Sequence, residues 1–278
     1  MYHSDLLLVG EYLMLFFGKS DVGKVRAVNE DSFTTVEFCK NLLLCIICDG
    51  MGGYESGEIA SELAIMSFTD YIRNHLSPYI NTAENMFDFG SALNGGIEIY
   101  DVLCKAVSAA NTTIRQRGSH DRKLKDMGTT LVAALIINSM LYIANVGDSR
   151  LYMIDNNEMK QLTHDHSLVQ HLIDSGQITP EEALKHRYRS VLTRVVGLDT
   201  FTETDTDIFK FDFKSGYILM CSDGLYNYFT PEQYNEVLKD ADDIDKLTSA
   251  VEKLVDNANA NGGKDNITVI VIKSPDLV

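Results

Sequence analysis

Asp49-Gly-Met-Gly-Gly53 is the stretch on which the reading of this chain turns. It follows the apolar run of residues 42–48 directly and precedes a helical pattern that opens near Ser56. A buried strand ending in an aspartate and then glycines aims a carboxylate and bare backbone groups into one space. Glycine lets the chain turn there and lets its carbonyls approach a ligand. Taken alone, such a stretch is more often a turn than a metal site. Isolated aspartates recur in the same setting, however: Asp148 in Gly147-Asp-Ser-Arg150, Asp223 in Ser222-Asp-Gly224, and Asp265 beside Asn266. Each borders a β-rich run, so each can be delivered to the same end of a sheet. Several hard carboxylates without accompanying Cys/His spacing suit Mg²⁺ or Mn²⁺ rather than zinc.

The composition sets the frame around that site. A chain of 278 residues with four prolines and no serine/glycine-rich linker reads as one domain spanning 1–278. A formal charge of −16 argues against nucleic acid, whose binding runs on clustered Lys and Arg. It also means that converging aspartates repel one another unless cations neutralise them. The five cysteines form no secreted disulfide framework. Cys45 and Cys48 sit at odd spacing in a strand pattern, so their side chains point to opposite faces, which is wrong for a redox pair. Residues 6–17 are apolar but interrupted by Glu11, shorter than the roughly 20 residues a membrane helix needs, and preceded by no Lys or Arg. The expectation is a cytoplasmic protein without a membrane span.

Along the chain, residues 12–17 and 32–38 read as strands around a polar turn at 18–31, and residues 42–48 as a strand covered on both faces. Residues 55–76 read as a helix ended by Pro78, followed by a loop or short-helix excursion over 77–96. Val102, Ala106, Ala110 and Ile114 recur every four residues and mark a second helix closed by Gly118. Residues 129–137 and 140–146 form a hairpin across Asn138-Ser139, and 151–154 with 159–162 form another across residues 155–157. Short helices follow at 167–175 and 180–186, the second opened by the capping box Thr179-Pro-Glu-Glu182, a signature repeated at Thr230-Pro-Glu-Gln233. Strands at 209–213 and 217–221, an amphipathic helix carrying Leu247, Val251 and Leu254, and a last strand at 267–272 complete the pattern. Strands that cluster in hairpins favour antiparallel sheets with helices packed outside.

An ordered set of motifs gathers these residues: Asp21-Val-Gly-Lys-Val-Arg26 with Asn29-Glu-Asp31, Asp49-Gly-Met-Gly-Gly53, Met127-Gly-Thr-Thr130 and Val146-Gly-Asp-Ser-Arg150. Further on come Leu162-Thr163 with Asp165-His-Ser167, Leu192-Thr-Arg194 leading to Gly197, Cys221-Ser-Asp-Gly-Leu225 and Gly263-Lys-Asp-Asn-Ile-Thr268. In this order, over nearly the whole chain, they closely resemble the metal-dependent type 2C protein serine/threonine phosphatases in their compact bacterial form. The resemblance implies an α+β fold, a four-layer α-β-β-α sandwich of two antiparallel sheets flanked by helices. It implies that Asp49 bridges two metals, that the Gly50 carbonyl completes one, and that Asp223 and Asp265 bind the other. Glu30 then holds a metal through water, Arg26 grips the substrate phosphate, and Asp148 with Asp223 offers a third metal site. Residues 166–189 correspond to a flap, and residues 1–10 to an N-terminal extension.

The residue types suit that chemistry. Two Mn²⁺ or Mg²⁺ ions can share a bridging water, acidify it to hydroxide and orient in-line attack on phosphorus. Arginine holds two phosphate oxygens with its planar fork, where lysine offers a point charge. Met51 stands where many eukaryotic relatives carry a histidine proposed as general acid, and methionine has no proton to give. The reading is therefore metal-dependent hydrolysis of phosphoserine and phosphothreonine in proteins, by a monomer that reverses a protein kinase. Two rivals accompany it: a silent phosphoprotein-binding member, which missing metal aspartates would announce, and a hydrolase of small phosphate esters with the same cleft.

Overall fold

The structure, a computed structural model, describes residues 14–52, 56–156 and 158–274. The first runs become β1 (Leu15–Asp21), β2 (Asp31–Cys39) and β3 (Leu42–Met51), and the long helical pattern becomes α1 (Ser56–Leu76). An excursion with β4 (Ile80–Asn81), β5 (Met86–Phe87) and α2 (Phe89–Asn94) leads to α3 (Ile99–Ser119). Next come β6 (Gly128–Thr129), β7 (Leu131–Ile137), β8 (Met140–Val146), β9 (Arg150–Asp155), β10 (Glu158–Gln161), α4 (Leu168–Asp174) and α5 (Pro180–Ala183). The order closes with β11 (Asp207–Asp212), β12 (Tyr217–Cys221), α6 (Asp223–Tyr226), α7 (Pro231–Leu238), α8 (Ile244–Ala260) and β13 (Ile267–Lys273).

Two antiparallel sheets result, one in the order β1-β13-β12-β9-β10 and the other β11-β8-β7-β3-β2, with β6 paired to the end of β3. The alternation of β3 shows why they stack. Leu43, Cys45 and Ile47 enter a cluster between the sheets with Ile218, Met220, Ile270 and Ile272. Leu42, Leu44, Ile46 and Cys48 point the other way, onto Phe68 and Ile72 of α1 and Leu103 and Val107 of α3. A third cluster joins Leu219, Val269 and Val271 to Leu247, Val251 and Leu254 of α8. Three apolar seams between four layers make the α-β-β-α sandwich. Burying each of these large side chains contributes about 1.5–3 kcal/mol. Cys45 and Cys48 fall in different seams, as parity requires, and burial raises both thiols above their ordinary range.

Local expectations meet the structure in detail. Both hairpin turns place an asparagine in the left-handed region, Asn138 at φ 56° and Asn156 at φ 50°, a conformation asparagine tolerates. The capping boxes at Thr179 and Thr230 both form. One boundary needs correction. The polar turn expected over 18–31 begins only after Asp21, because β1 pairs with β13 from Leu15↔Lys273 to Asp21↔Ile267. β1 is an edge strand, so Lys19, Ser20 and Asp21 can be polar while β13 satisfies their backbone. The excursion over 77–96 contains the short elements named above and is tied to the hairpin end of β3 by Asn41, which bonds both the N–H (2.6 Å) and the carbonyl (3.1 Å) of Phe87. The N-terminal extension, the beginning of the first expected strand and the expected opening of α1 at residue 55 lie outside the described residues.

Candidate metal centre

One end of the two sheets opens into a cleft of about 240 Å³. Arg26, Glu30, Asp49, Gly50, Asp148, Asp223 and Asp265 all line it, so every site residue expected from the sequence is brought to one place. Asp49 ends the buried part of β3, directly opposite Asp31 of β2. Its turn is held from below by the threonine pair. The Asp49 N–H donates to Thr130 Oγ1 at 2.9 Å, and the Asp49 carbonyl accepts from Thr129 Oγ1 and from the Thr130 N–H, each at 2.9 Å. The Gly50 N–H donates to the Glu30 carbonyl at 3.1 Å, which locks the 26–31 segment to the β3 turn. The Gly57 N–H, at the start of α1, donates to the Glu30 carboxylate. A Cβ on Gly57 would stand 2.5 Å from Glu30 Oε1, so glycine is required for that approach.

The other sheet supplies the rest. Asp223 begins α6 immediately after β12, and Asp265 precedes β13. Asn266 spends its side chain internally, accepting from the Glu30 N–H at 2.9 Å and donating to the carbonyls of Val22 and Val28 at 3.0 Å. It is thus a brace, as expected of a turn residue. Asp31, which the sequence reading quoted in the motif Asn29-Glu-Asp31 without giving it a role, is a second brace. One carboxylate oxygen accepts from Ser222 and Thr268 hydroxyls, both at 2.7 Å, joining β2 to the strands that deliver Asp223 and Asp265. Its sequence signal is its place in that motif, where an aspartate opens a strand pattern. Asp148 sits in the turn between β8 and β9, where Gly147 takes φ 104°. Tyr226 of α6 covers it, with its hydroxyl 3.5 Å from Asp148 Oδ2 and its ring under the Arg150 guanidinium at 3.7 Å. Arg150 is committed to Asp165 at 2.7 Å and is a structural anchor.

At the mouth, half-exposed Arg26 bonds Asp265 at 2.8 Å and faces Glu30 at 3.9 Å. Met51 is exposed in the lining and has no proton to offer. Ser190 and Leu192, just beyond the segment expected as a flap, also line the cleft. His164 is exposed and pairs with Asp174 at 2.8 Å. His166 is buried; its Nδ1 accepts from the Gly147 N–H at 3.1 Å, so its proton resides on Nε2 and donates to Asp207 at 3.1 Å. Burial keeps it neutral. It ties the flap base to the turn carrying Asp148. Replacing His166 with leucine strands the Gly147 N–H and should cost about 1–3 kcal/mol. His166→Asn, which can return an acceptor near the Nδ1 position, should recover part of that loss in a denaturant titration; equal destabilisation by both variants would contradict this role.

The electrostatics of the cleft test the fit of a metal. Burial raises Asp49 well above the usual carboxylate range, reinforced by the charges of Asp31, Asp223, Asp148 and Asp265. Burial, then Asp223 and Asp165, lifts Asp148 to about 8, and burial, then Asp265, lifts Asp223 to about 6. Asp31 is pushed to about 7, again chiefly by burial. Protein alone therefore holds these acids against their charge, and divalent cations are what reconcile them. Among the described residues, no three His, Cys, Asp or Glu side chains close around a single point. Mg²⁺ and Mn²⁺ suit such an open set, because a carbonyl and water can complete the shell.

Sandwich, cleft and donor set define a class, and comparison with known proteins names it. The chain matches the family described as protein phosphatase 2C over residues 22–268 and belongs to that family. It is 36% identical to the serine/threonine phosphatase stp of Listeria monocytogenes over 255 residues, which cover 92% of this chain and 94% of that one. The solved structure of the serine/threonine phosphatase Stp1 from Staphylococcus aureus superposes with a TM-score of 0.76 at 32% identity, covering 98% of this chain and 99% of that one. The catalytic domain of the phosphatase PstP, solved in complex with 2 manganese ions, superposes with a TM-score of 0.74 at 31% identity, covering 94% of this chain and 97% of that one.

Proposed function

We propose that this chain hydrolyses phosphoserine and phosphothreonine esters in proteins and so reverses a serine/threonine kinase. The observation that carries the reading is the convergence of Asp49 from one sheet, Asp223 and Asp265 from the other, and Asp148 from the β8–β9 turn that links them, under an arginine at the cleft mouth. Asp49 and the Gly50 carbonyl, with Asp223 and Asp265, would hold two divalent cations, and Glu30 would contact one through water. Asp148 with Asp223 offers a third position. Bound there, the ions supply Lewis acidity toward water and the phosphoryl oxygens. Mn²⁺ is favoured by the PstP complex, and Mg²⁺ suits the same oxygens.

The chain's own residues do the remaining work. Arg26 turns its fork from Asp265 and Glu30 to two phosphate oxygens and offsets their charge. Asp31, Asn266 and the threonine pair keep the carboxylates at their stations, so the site is organised before substrate arrives. Met51 cannot protonate the leaving oxygen, and no histidine lines the cleft among the described residues. The protein acts as a monomer in the cytoplasm, its whole length one catalytic domain with residues 166–189 as flap. No helix among the described residues is long and apolar enough to cross a membrane.

The test is phosphate release from a phosphothreonine peptide with Mn²⁺ and after chelation. Release should be robust with Mn²⁺, vanish with chelator and return on adding metal back. Parallel rates on p-nitrophenyl phosphate separate a protein phosphatase from a small-ester hydrolase. Metal-independent release, or none at any metal concentration, would defeat the proposal.

A further inference from the structure

The flap carries a charge pattern opposite to the rest of the molecule. The chain has 40 Asp and Glu against 24 Lys and Arg, yet residues 183–198 contain no acid at all. That stretch holds Lys185, His186, Arg187, Arg189 and Arg194. Arg194 is occupied by Asp207 at 2.9 Å. Lys185, Arg187 and Arg189 are exposed and have no carboxylate partner among the described residues. The two acids just before them are turned away: Glu182 closes the cap on Thr179 at 2.9 Å, and Glu181 also bonds Thr179.

This strip borders the cleft. Ser190 and Leu192, next along the chain, line the cavity itself. The segment is pinned along the edge by backbone bonds from Leu168 N–H to the Val191 carbonyl and from Thr193 N–H to the His166 carbonyl, each 2.8 Å. Arg187 is stacked on Tyr188 at 4.3 Å, and Leu184, Tyr188 and Val191 are exposed beside the cations. A peptide whose phosphorylated side chain enters the cleft must lay its flanking residues across a surface of this kind.

We propose that Lys185, Arg187 and Arg189 form a docking strip for carboxylate side chains flanking the phosphorylated residue, so that this enzyme selects phosphorylation sites set in acidic sequence. The inference rests on the phosphatase reading above. An acidic peptide is repelled by a protein of charge −16 except where cations face it, so the strip fixes both where and in which direction such a substrate lies. Arginine forks suit carboxylates, and apolar neighbours reduce competing hydration. The opposite preference, for basic flanks, finds no acids along this edge to support it.

The experiment compares kcat/KM of the Mn²⁺-loaded enzyme on phosphothreonine peptides with Glu, Ala or Lys flanks, at low and high salt. The Glu peptide should exceed the Ala peptide by roughly 3–10-fold, since a few exposed ion pairs are worth that much, and high salt should erase the difference. In the K185E/R187E variant the order should invert, while turnover of p-nitrophenyl phosphate stays unchanged. Equal rates on all three peptides, or a Lys preference in the wild type, overturn the proposal even if the variant misfolds. A wild type inert toward every ester would sink the phosphatase reading and this proposal with it.

Discussion

Exchanging Asp49 for asparagine should lower phosphate release from a phosphothreonine peptide in Mn²⁺ by ~10³-fold or more, at the upper end of what one lost electrostatic group costs. The same change should raise the melting temperature of the chelated protein. Both effects have one origin. Asparagine keeps the volume of the side chain and leaves the three main-chain bonds to Thr129 and Thr130 in place, so the turn survives. What disappears is a carboxylate that burial and four neighbouring acids already disfavour. Metal-free protein is relieved of that charge, whereas the proposed cation site would lose an anionic ligand. Stability and activity then move in opposite directions, as they do where a site is built at the expense of the fold. Steady-state kinetics and thermal melts in chelator decide it; near-normal activity, or a chelated variant that melts below wild type, would show Asp49 to be structural.

The metal-free protein should become more stable as pH falls from about 8 toward 5. Asp148, Asp31 and Asp223 titrate at about 8, 7 and 6 in the fold, above the 3.8 of a free aspartate. The folded state therefore binds more protons than the unfolded chain in this window. Stability present in the protonated state is lost as pH rises through those values, by up to about 1.4 kcal/mol per pH unit for each proton taken up. Partly buried Asp21 and exposed Asp174 are shifted the other way and act below about pH 4. Mn²⁺ replaces those protons, so its stabilising effect should grow with pH. At about 100 times its dissociation constant, one ion adds about 2.7 kcal/mol. Melts at pH 5.5, 6.5 and 7.5, with chelator and with Mn²⁺, test both slopes. A chelated protein most stable at pH 7.5 would remove the electrostatic argument for a metal.

Much of this was legible in the residues. The parity of β3 predicted that Cys45 and Cys48 face opposite sides of the sheet, because side chains alternate along any strand. The hairpin at Asn138 and the caps at Thr179 and Thr230 were legible for a similar reason: they depend on neighbours within four residues. The candidate metal aspartates stood out because each follows or precedes a β-rich run, and the motif order gathered them into one reading. The limits of β1 were less visible, since Lys19 to Asp21 look like a turn until β13 is laid beside them.

Sequence alone thus determined the local periods, the caps, the donor types and the order in which they occur. Only the tertiary structure decided which groups share a space. Asp31 braces Ser222 and Thr268, 191 and 237 residues away, and nothing local announces such a bond. Tyr226 screens Asp148 and Arg150 turns to Asp165 because two strands and a short helix converge at one corner. The shifted acidities of the cleft have the same origin: charge repulsion and burial act through space, and the distance between Asp49 and Asp223 along the chain says nothing of their separation in the fold.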